Sequence, residues 1–348
     1  MCIAGGYGTG RELVEFFLLF GPAGGLLGML PATLIVSAGC LVAFELARMA
    51  HAYDYRSFLQ LLLGRGWFLY EIAYLISILL ILAVIGSAAG ALFVETFRIP
   101  GFVGTGLLLA VIAFLAFKGT RLIEGVLSAW SFVLYTVYLV MFLLSVHVFG
   151  PMIREALTSW PVEPGWFLTG FRYGVLQMAL LPAVLFSTTY FTCRRDAFVA
   201  GALTGPILMI PAALFYFAML GHYPDILQRP VPVNHVLEDL GSAVLLVAFP
   251  VVLIGTFIET GTGMIHAFNE RLAGGFRSLG KTLPSWARPA IAVGLLLSAL
   301  LLSRLGIIEL IAVGYGALTW VFIVVLAIPL LTIGVWKVFG PAGRRAKA

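Results

Sequence analysis

Long apolar runs set the strongest constraint on this chain. A helix that crosses a bilayer needs about 20 mostly apolar residues, and such runs recur along almost the whole sequence. Because hydrocarbon offers no hydrogen-bond partners, spanning segments of this kind must be helical. The sequence therefore predicts an all-α polytopic membrane protein. Its nine clear runs lie near residues 25–49, 67–95, 101–117, 126–149, 171–193, 197–220, 241–267, 287–303 and 307–337.

The charged residues are too few for a soluble protein. Of the 348 residues, 11% are charged and 61% are hydrophobic, whereas soluble domains carry about 25% charged residues. The formal charge of +5 comes from basic residues in short loops without an aromatic platform, so nucleic acid is not an expected partner. The three cysteines lack CxxC spacing and the five histidines are scattered. We therefore expect no disulfide framework, no metal site and no resident cofactor.

The lysines and arginines predict the orientation. If residues 1–20 form a tenth span and the N-terminus is inside, 15 basic residues fall in inside loops and 5 in outside loops, with Arg11 left within the first span. Such an excess is typical of cytoplasmic loops. We expect a multi-pass protein of the bacterial inner (plasma) membrane with both termini in the cytoplasm.

A glycine-rich stretch interrupts this first span. Residues 4–17, AGGYGTGRELVEFF, combine four glycines with Arg11 and Glu12. Glycine loosens a helix, and a broken helix persists in a membrane only where it lines a polar cavity or packs on protein. Two interpretations are open: a functional break that faces a wet cavity, or close helix packing through small residues.

The sixth span, FRYGVLQMALLPAVLFSTTYFT, is interrupted in the middle by Pro182. Two broken helices at corresponding places in two halves point to the binding site of a secondary transporter. We expect one transmembrane domain over 1–348. It would contain five spans in 1–149, five in 171–337, and a basic cytoplasmic tail at 338–348.

The eighth span, VLIGTFIETGTGMIHAFNERL, contains the acidic residue Glu259. An ionisable group at this depth costs at least about 2.5 kcal/mol, so it needs a partner or a path to water. Glu259 is therefore a candidate site residue, and Glu12 is another because it adjoins the broken backbone. The alternative for Glu259 is a structural ion pair with a base on another helix. Arg11 in turn could neutralise a neighbouring carboxylate.

Three stretches lie outside the predicted spans. Residues 51–66, HAYDYRSFLQLLLGRG, predict an amphipathic helix along the cytoplasmic interface. Residues 151–170 and 221–241 are predicted to be long outer loops, since both contain prolines and aromatic residues. Loops of that length are either lids or plain connectors.

Several short motifs resemble those of the YkvI-type bacterial membrane proteins. They are GYGTGRE in the first span, HYPDIL and VPVN in the second outer loop, GTFIETGTG and NER in the eighth span, and GYGALTW and IPLLTIG in the tenth. The likeness extends to about Gly334. This family resembles distant members of the amino acid–polyamine–organocation superfamily. The resemblance implies a LeuT-like fold, a five-plus-five inverted repeat with interrupted helices 1 and 6.

The resemblance also implies site residues. The superfamily's first helix unwinds at glycines whose amides hold a substrate carboxylate, and it normally has a half-helix before them, where this sequence has MCI before Ala4. Its sodium-coupled members bind the cation between first-helix carbonyls and eighth-helix hydroxyls. The expected substrate-binding residues are Gly6, Gly8, Thr9, Gly10, Glu12, Pro182 and Glu259. The expected ion-coupling residues are Gly5, Thr256, Glu259 and Thr260, with the glutamate leaving proton coupling open.

These features favour a secondary transporter of a small solute, amino-acid-like or an organic cation, working by ion-coupled alternating access. The coupling ion would be Na⁺ or H⁺. The alternative is a ligand sensor or receptor subunit on the same fold that binds without transport. An enzyme is not expected, because the sequence has no metal cluster, histidine-based dyad or nucleophile motif. The expected partners are a small-molecule substrate and the lipid bilayer, and the oligomeric state stays open.

Overall fold

The computed structural model describes residues 5–118, 121–278, 284 and 286–340. Within these ranges the secondary structure is helical and contains no β-strand. Seven of the described helices are long and apolar enough to cross a bilayer. The short apolar helix Gly101–Lys118 and two broken segments, at the start and in the middle of the chain, bring the described segments to ten. The predicted all-α architecture with interrupted first and sixth segments is confirmed.

The segments are numbered one to ten in chain order. Segment one spans 5–20 and consists of helices Gly5–Thr9 and Arg11–Phe16 and the 3-10 turn Leu18–Phe20. Segment six spans 166–190 and consists of helix Trp166–Met178 and the 3-10 turns Leu181–Ala183 and Leu185–Tyr190. The other eight segments are Pro22–Ala50, Trp67–Phe97, Gly101–Lys118, Arg121–Ser159, Arg194–Leu220, Ala243–Ser278, Ala287–Leu302 and Ile307–Phe339.

The predicted outer loop over 151–170 is largely helical. Segment five continues to Ser159 and segment six already begins at Trp166, so only 160–165 connect them. Prolines and aromatic residues had indicated a loop here. Pro151, however, lies inside the helix, where it removes one backbone hydrogen bond without ending the helix.

The second predicted outer loop, 221–241, is also ordered into short helical elements. It contains the 3-10 turn Asp225–Gln228 and the helix Pro232–Leu240. Pro232 occupies the first turn of its helix, where a missing N–H costs nothing. This stretch, called the outer cap below after its predicted side of the membrane, packs over segment one.

The predicted amphipathic helix after segment two is present as Tyr55–Leu63. The side chain of Asp54 caps it by accepting hydrogen bonds from the backbone N–H groups of Arg56 (3.0 Å) and Ser57 (2.9 Å). Its buried side chains are Phe58, Leu59 and Leu62.

Segment two packs closely against segments six and seven through glycines. A Cβ atom on Gly170 would overlap the carbonyl oxygen of Gly28, and one on Gly201 would overlap the backbone of Leu41. Small residues allow backbones to approach in this way in membrane bundles. The contact packs the first half of segment six against segment two.

An arginine joins segments three and eight near the amphipathic helix. Arg271 lies 2.9 Å from the carboxylate of Glu71. Its guanidinium also lies between two aromatic rings, 3.9 Å from the centroid of Tyr55 and 3.7 Å from that of Tyr74. The group is buried, so its charge is balanced by the carboxylate and the rings together.

We expect Arg271→Gln to lower the free energy of unfolding by about 2 kcal/mol, because it leaves Glu71 without its cation and removes two cation–π contacts. Thermal unfolding in detergent measures the effect. Arg65→Gln, an exposed arginine near the same end of the bundle, is the matched control and is expected to be neutral. Equal stability of Arg271→Gln and the parent would show that the cluster carries no net stabilisation.

Candidate functional site

The first segment breaks at Gly10. Its φ angle is 86°, a left-handed conformation that favours glycine. A Cβ atom there would lie 2.9 Å from Met219 Sδ. The polar groups at the break stay satisfied, since the Thr9 hydroxyl donates to the Gly6 carbonyl (3.0 Å) and the Gly10 N–H donates to the Tyr7 carbonyl (2.9 Å). The break is thus both close-packed and hydrogen-bonded.

Glu12 folds back onto this break. The side chain is 4% exposed, and it lies so close to Gly6 that a Cβ atom there would come within 2.6 Å of Glu12 Oε1. The Tyr7 backbone N–H donates to its carboxylate, and the Tyr173 hydroxyl of segment six donates at 3.5 Å. The carboxylate is therefore held by two donors, one on each broken segment.

A small cavity of about 50 Å³ adjoins Glu12. It lies between segments one, three, six and ten, and its polar lining residues besides Glu12 are Ser77, Gln177 and Tyr315. No arginine or lysine lines it among the residues that the structure describes. This volume is sufficient for water or a small ion.

Arg11 does not pair with Glu12. Its guanidinium lies 3.0 Å from the carboxylate of Glu15, one helical turn away. It also donates to two carbonyl oxygens of the outer cap, those of Leu227 (2.6 Å) and Arg229 (3.4 Å). The residue therefore fixes the outer cap over segment one and leaves Glu12 without a basic partner in the described ranges.

The sixth segment breaks after Met178. Pro182 lacks an N–H and lies in the 3-10 turn Leu181–Ala183. The Ala179 carbonyl, left unpaired by the break, accepts a 2.6 Å hydrogen bond from the Tyr70 hydroxyl of segment three. A neighbouring side chain thus supplies the partner that hydrocarbon cannot.

A larger cavity of about 340 Å³ lies on the other side of this break. Segments two, five, six, seven and eight enclose it. Its lining is mostly apolar, with Glu259 and Thr256 from segment eight, Trp130 and Tyr135 from segment five and Gln177 from segment six. Apolar walls with a few convergent polar groups are typical of small-molecule sites.

Glu259 forms no ion pair with any side chain in the described ranges. Other acids form the salt bridge to another helix that was the structural alternative for Glu259: Glu45 pairs with Arg194 of segment seven (3.8 Å), and Glu71 pairs with Arg271 of segment eight. The carboxylate of Glu259 instead faces the 340 Å³ cavity.

The predicted site residues either line one of the two cavities or pack at the two helix breaks. Glu12 and Glu259 line separate cavities, which adjoin because Gln177 and Leu180 line both. The glycines of the first break contact protein: Gly8 packs against Leu253 of segment eight, and Gly10 packs against segment seven and the outer cap. The remaining candidates, Gly6, Thr9 and Pro182, surround the two breaks as described above.

The predicted ion-coupling residues lie where segments one and eight run side by side. Because the two segments are antiparallel and Gly8 faces Leu253, the helical rise brings Gly5 near the level of Thr256. The Thr256 hydroxyl donates to the Val252 carbonyl (2.9 Å). The Thr260 hydroxyl is buried and has no hydrogen-bond partner within the described structure.

Three residues of the site are not predicted by the sequence analysis. Tyr173, which contacts Glu12, and Gln177, which lines both cavities, are polar groups inside the apolar sixth span, a signal comparable to that of Glu259. Trp130 reaches the cavity because Gly255 leaves space for its ring. Only the fold brings such a pair together, so the sequence carried no signal for Trp130.

Comparison with known proteins supports the architecture. No protein-family model matches the sequence. The chain is 24% identical over 281 residues to the membrane protein YkvI of Bacillus subtilis, covering 78% of this chain and 77% of the relative. The predicted resemblance is confirmed.

The fold is similar to that of two proteins of known structure. It superposes on MhsT, crystallised in complex with L-phenylalanine, with a TM-score of 0.64, at 16% identity and covering 97% of this chain and 86% of that one. A variant of the manganese transporter of Eremococcus coleocola gives a TM-score of 0.52 at 16% identity, over 97% of this chain and 85% of that one. The chain has a LeuT-like fold. At this identity the likeness establishes the fold alone.

The outer cap contains a buried histidine. His222 Nε2 lies 3.0 Å from the Asp239 carboxylate, with the rings of His235 and Phe149 at 5.0 and 4.6 Å. Burial lowers the pKa of His222 below its usual value, and Asp239 opposes this only in part. The folded protein therefore binds this proton less tightly than the unfolded chain does.

Acidification is expected to loosen the outer cap. His222 stabilises the fold fully above its unfolded pKa of about 6.5, and this contribution declines as the pH falls below that value. Hydrogen exchange in 221–241 at pH 7.5, 6.5 and 5.5, corrected for the intrinsic exchange rate at each pH, should show lower protection factors in acid. This loss of protection should be smaller in His222→Gln and unchanged in His51→Gln, which replaces an exposed histidine at the opposite end. An unchanged pH dependence in His222→Gln would contradict the assignment.

Gly10→Ala is expected to destabilise the protein by about 1–2 kcal/mol from backbone strain alone, with a further cost from the contact with Met219. Gly106→Ala is the matched control, because no atom lies within 4 Å of its added methyl group and a helical glycine gains about 0.5–1 kcal/mol on this change. Thermal unfolding of both variants provides the measurement. If Gly106→Ala lowered the stability as much as Gly10→Ala, the left-handed conformation and close packing of Gly10 would not be the cause of the loss.

Proposed function

We propose that this protein is a secondary active transporter that moves a small solute, amino-acid-like or an organic cation, by ion-coupled alternating access. The observation that carries the proposal is a pair of carboxylates, one beside the broken first segment and one on the eighth. Glu12 and Glu259 line adjoining cavities between the membrane-spanning segments, and neither has a basic partner among the described side chains. Retaining such acids at membrane depth is costly, and they typically mark ion or substrate pathways.

The division between the cavities supports separate roles for the two acids. The 340 Å³ cavity is large enough for an organic solute, whereas the 50 Å³ cavity at Glu12 admits only water or a small ion. We assign Glu259 to the solute. We assign Glu12 to the coupling proton or ion. If the coupling ion is Na⁺, we propose that it binds instead where segments one and eight run side by side, at Gly5, Thr256 and Thr260.

The proposed transport unit is the whole chain. Segments one to five and six to ten form its two halves, with the broken members at corresponding positions, and inverted repeats of this kind bind substrate at the repeat interface. Both termini are proposed to lie in the cytoplasm of a bacterial cell, as the loop charges indicate.

Because MhsT, which has a similar fold, was crystallised in complex with L-phenylalanine, aromatic amino acids and their amines are the first solutes to examine.

Uptake into proteoliposomes under an imposed H⁺ or Na⁺ gradient tests the proposal. We expect one gradient to drive accumulation of a solute from a panel of amino acids and amines. Glu259→Gln should reduce uptake by about tenfold or more, because the neutral amide loses the charge-assisted contact. Glu12→Gln should remove the response to the gradient while solute exchange persists.

Glu155→Gln is the matched control, since Glu155 is exposed at the end of segment five, away from both cavities. It should leave uptake unchanged. Full uptake by both the Glu12 and Glu259 variants would remove these residues from the mechanism. Ligand-induced thermal stabilisation without flux under any gradient would instead favour a sensor or receptor subunit.

A further inference from the structure

We propose that the 340 Å³ cavity selects amines that lack a carboxylate over the corresponding amino acids. The inference deepens the proposed function, on which it rests for the solute being cargo. It depends on which hydrogen-bond donors and acceptors the cavity offers.

Three of the hydrogen-bond donors in the cavity wall are already used. The Trp130 indole N–H and the Thr256 hydroxyl both donate to the Val252 carbonyl, at 3.1 and 2.9 Å. The Thr204 hydroxyl donates to the Ala200 carbonyl at 2.9 Å. These threonines therefore present oxygen lone pairs to the cavity and no proton. The side-chain amide of Gln177 also lines the cavity and can donate as well as accept, but acceptors predominate, and they favour a ligand that donates hydrogen bonds.

The charge in the wall has one sign. Among the described residues that line the cavity, Glu259 alone carries a carboxylate, and none is an arginine or a lysine. A solute carboxylate would lose its hydration and meet a like charge. An ammonium group would instead pair with Glu259, and the rings of Trp130 and Tyr135 would add attraction for a cation.

The first break offers a carboxylate no free place either. The Tyr7 N–H and the Tyr173 hydroxyl donate to Glu12, so the protein's own side chain occupies these donors. Apart from Gln177, Cys40 and the groups named above, the large cavity is lined by leucine, isoleucine, valine and methionine side chains. The ligand that fits is a primary amine with an apolar or aromatic substituent.

Binding of three matched probes to the purified full chain tests this inference. Phenethylamine carries the amine alone, L-phenylalanine carries both groups, and 3-phenylpropanoate carries the carboxylate alone. In a thermal-shift titration we expect phenethylamine to bind about tenfold or more tightly than L-phenylalanine, and 3-phenylpropanoate not to bind. Aliphatic amines from ethylamine to hexylamine extend the series to other sizes.

Two variants separate the charge from general damage to the fold. Glu259→Gln should weaken phenethylamine binding by about tenfold or more and narrow its advantage over L-phenylalanine. Glu155→Gln should preserve the parent's preference.

Equal or tighter binding of L-phenylalanine by the parent would overturn the inference, as would failure of every amine to bind. Uptake assayed in parallel distinguishes it from the proposed function. Amine binding without flux would contradict transport and keep the selectivity, whereas uptake of L-phenylalanine without the amine would contradict the selectivity and keep transport.

Discussion

The structure depends on how two broken helices satisfy their backbone in a medium that supplies no hydrogen bonds. At the first break, the left-handed Gly10 turns the chain, and the Thr9 hydroxyl pairs with the Gly6 carbonyl. At the break in segment six, the Tyr70 hydroxyl of segment three donates a hydrogen bond to the Ala179 carbonyl. Both repairs come from side chains at fixed positions. Each break is therefore stabilised in one conformation, and this fixes the surroundings of Glu12 and of the cavity that Glu259 lines.

A similar repair occurs in segment ten. The π-helical stretch Leu310–Tyr315 widens the helix and precedes Gly316, whose carbonyl accepts a 2.9 Å hydrogen bond from Arg172 of segment six. The same arginine donates to the Thr319 hydroxyl at 3.0 Å. π-Helical turns frequently occur at functional sites, and this one ends at Tyr315, which lines the small cavity beside Glu12.

Much of the architecture could be predicted from the sequence, because the relevant signals are local. Apolar length gives the spans, Gly10 and Pro182 give the breaks, and Glu259 stands out in an apolar run. What could not be predicted depends on contacts between distant residues. The helical continuation through Pro151, the ordering of the outer cap by Arg11 and the pairing of Trp130 with Gly255 all require the neighbouring segments to be in place.

Pairing, more than burial, distinguishes the structural charges from the candidate functional ones. Glu45 is as deeply buried as Glu12, yet it is 2.8 Å from Arg48, and Glu71 has Arg271. Removing a base from such pairs exposes the cost of the remaining charge. For Glu12 and Glu259, by contrast, the balancing cation is not supplied by the described side chains. Under the proposed function, the ion and the solute supply it in turn. Because Gln177 and Leu180 form a common wall of both cavities, the broken sixth segment is the element through which the proposed function would couple the two binding events.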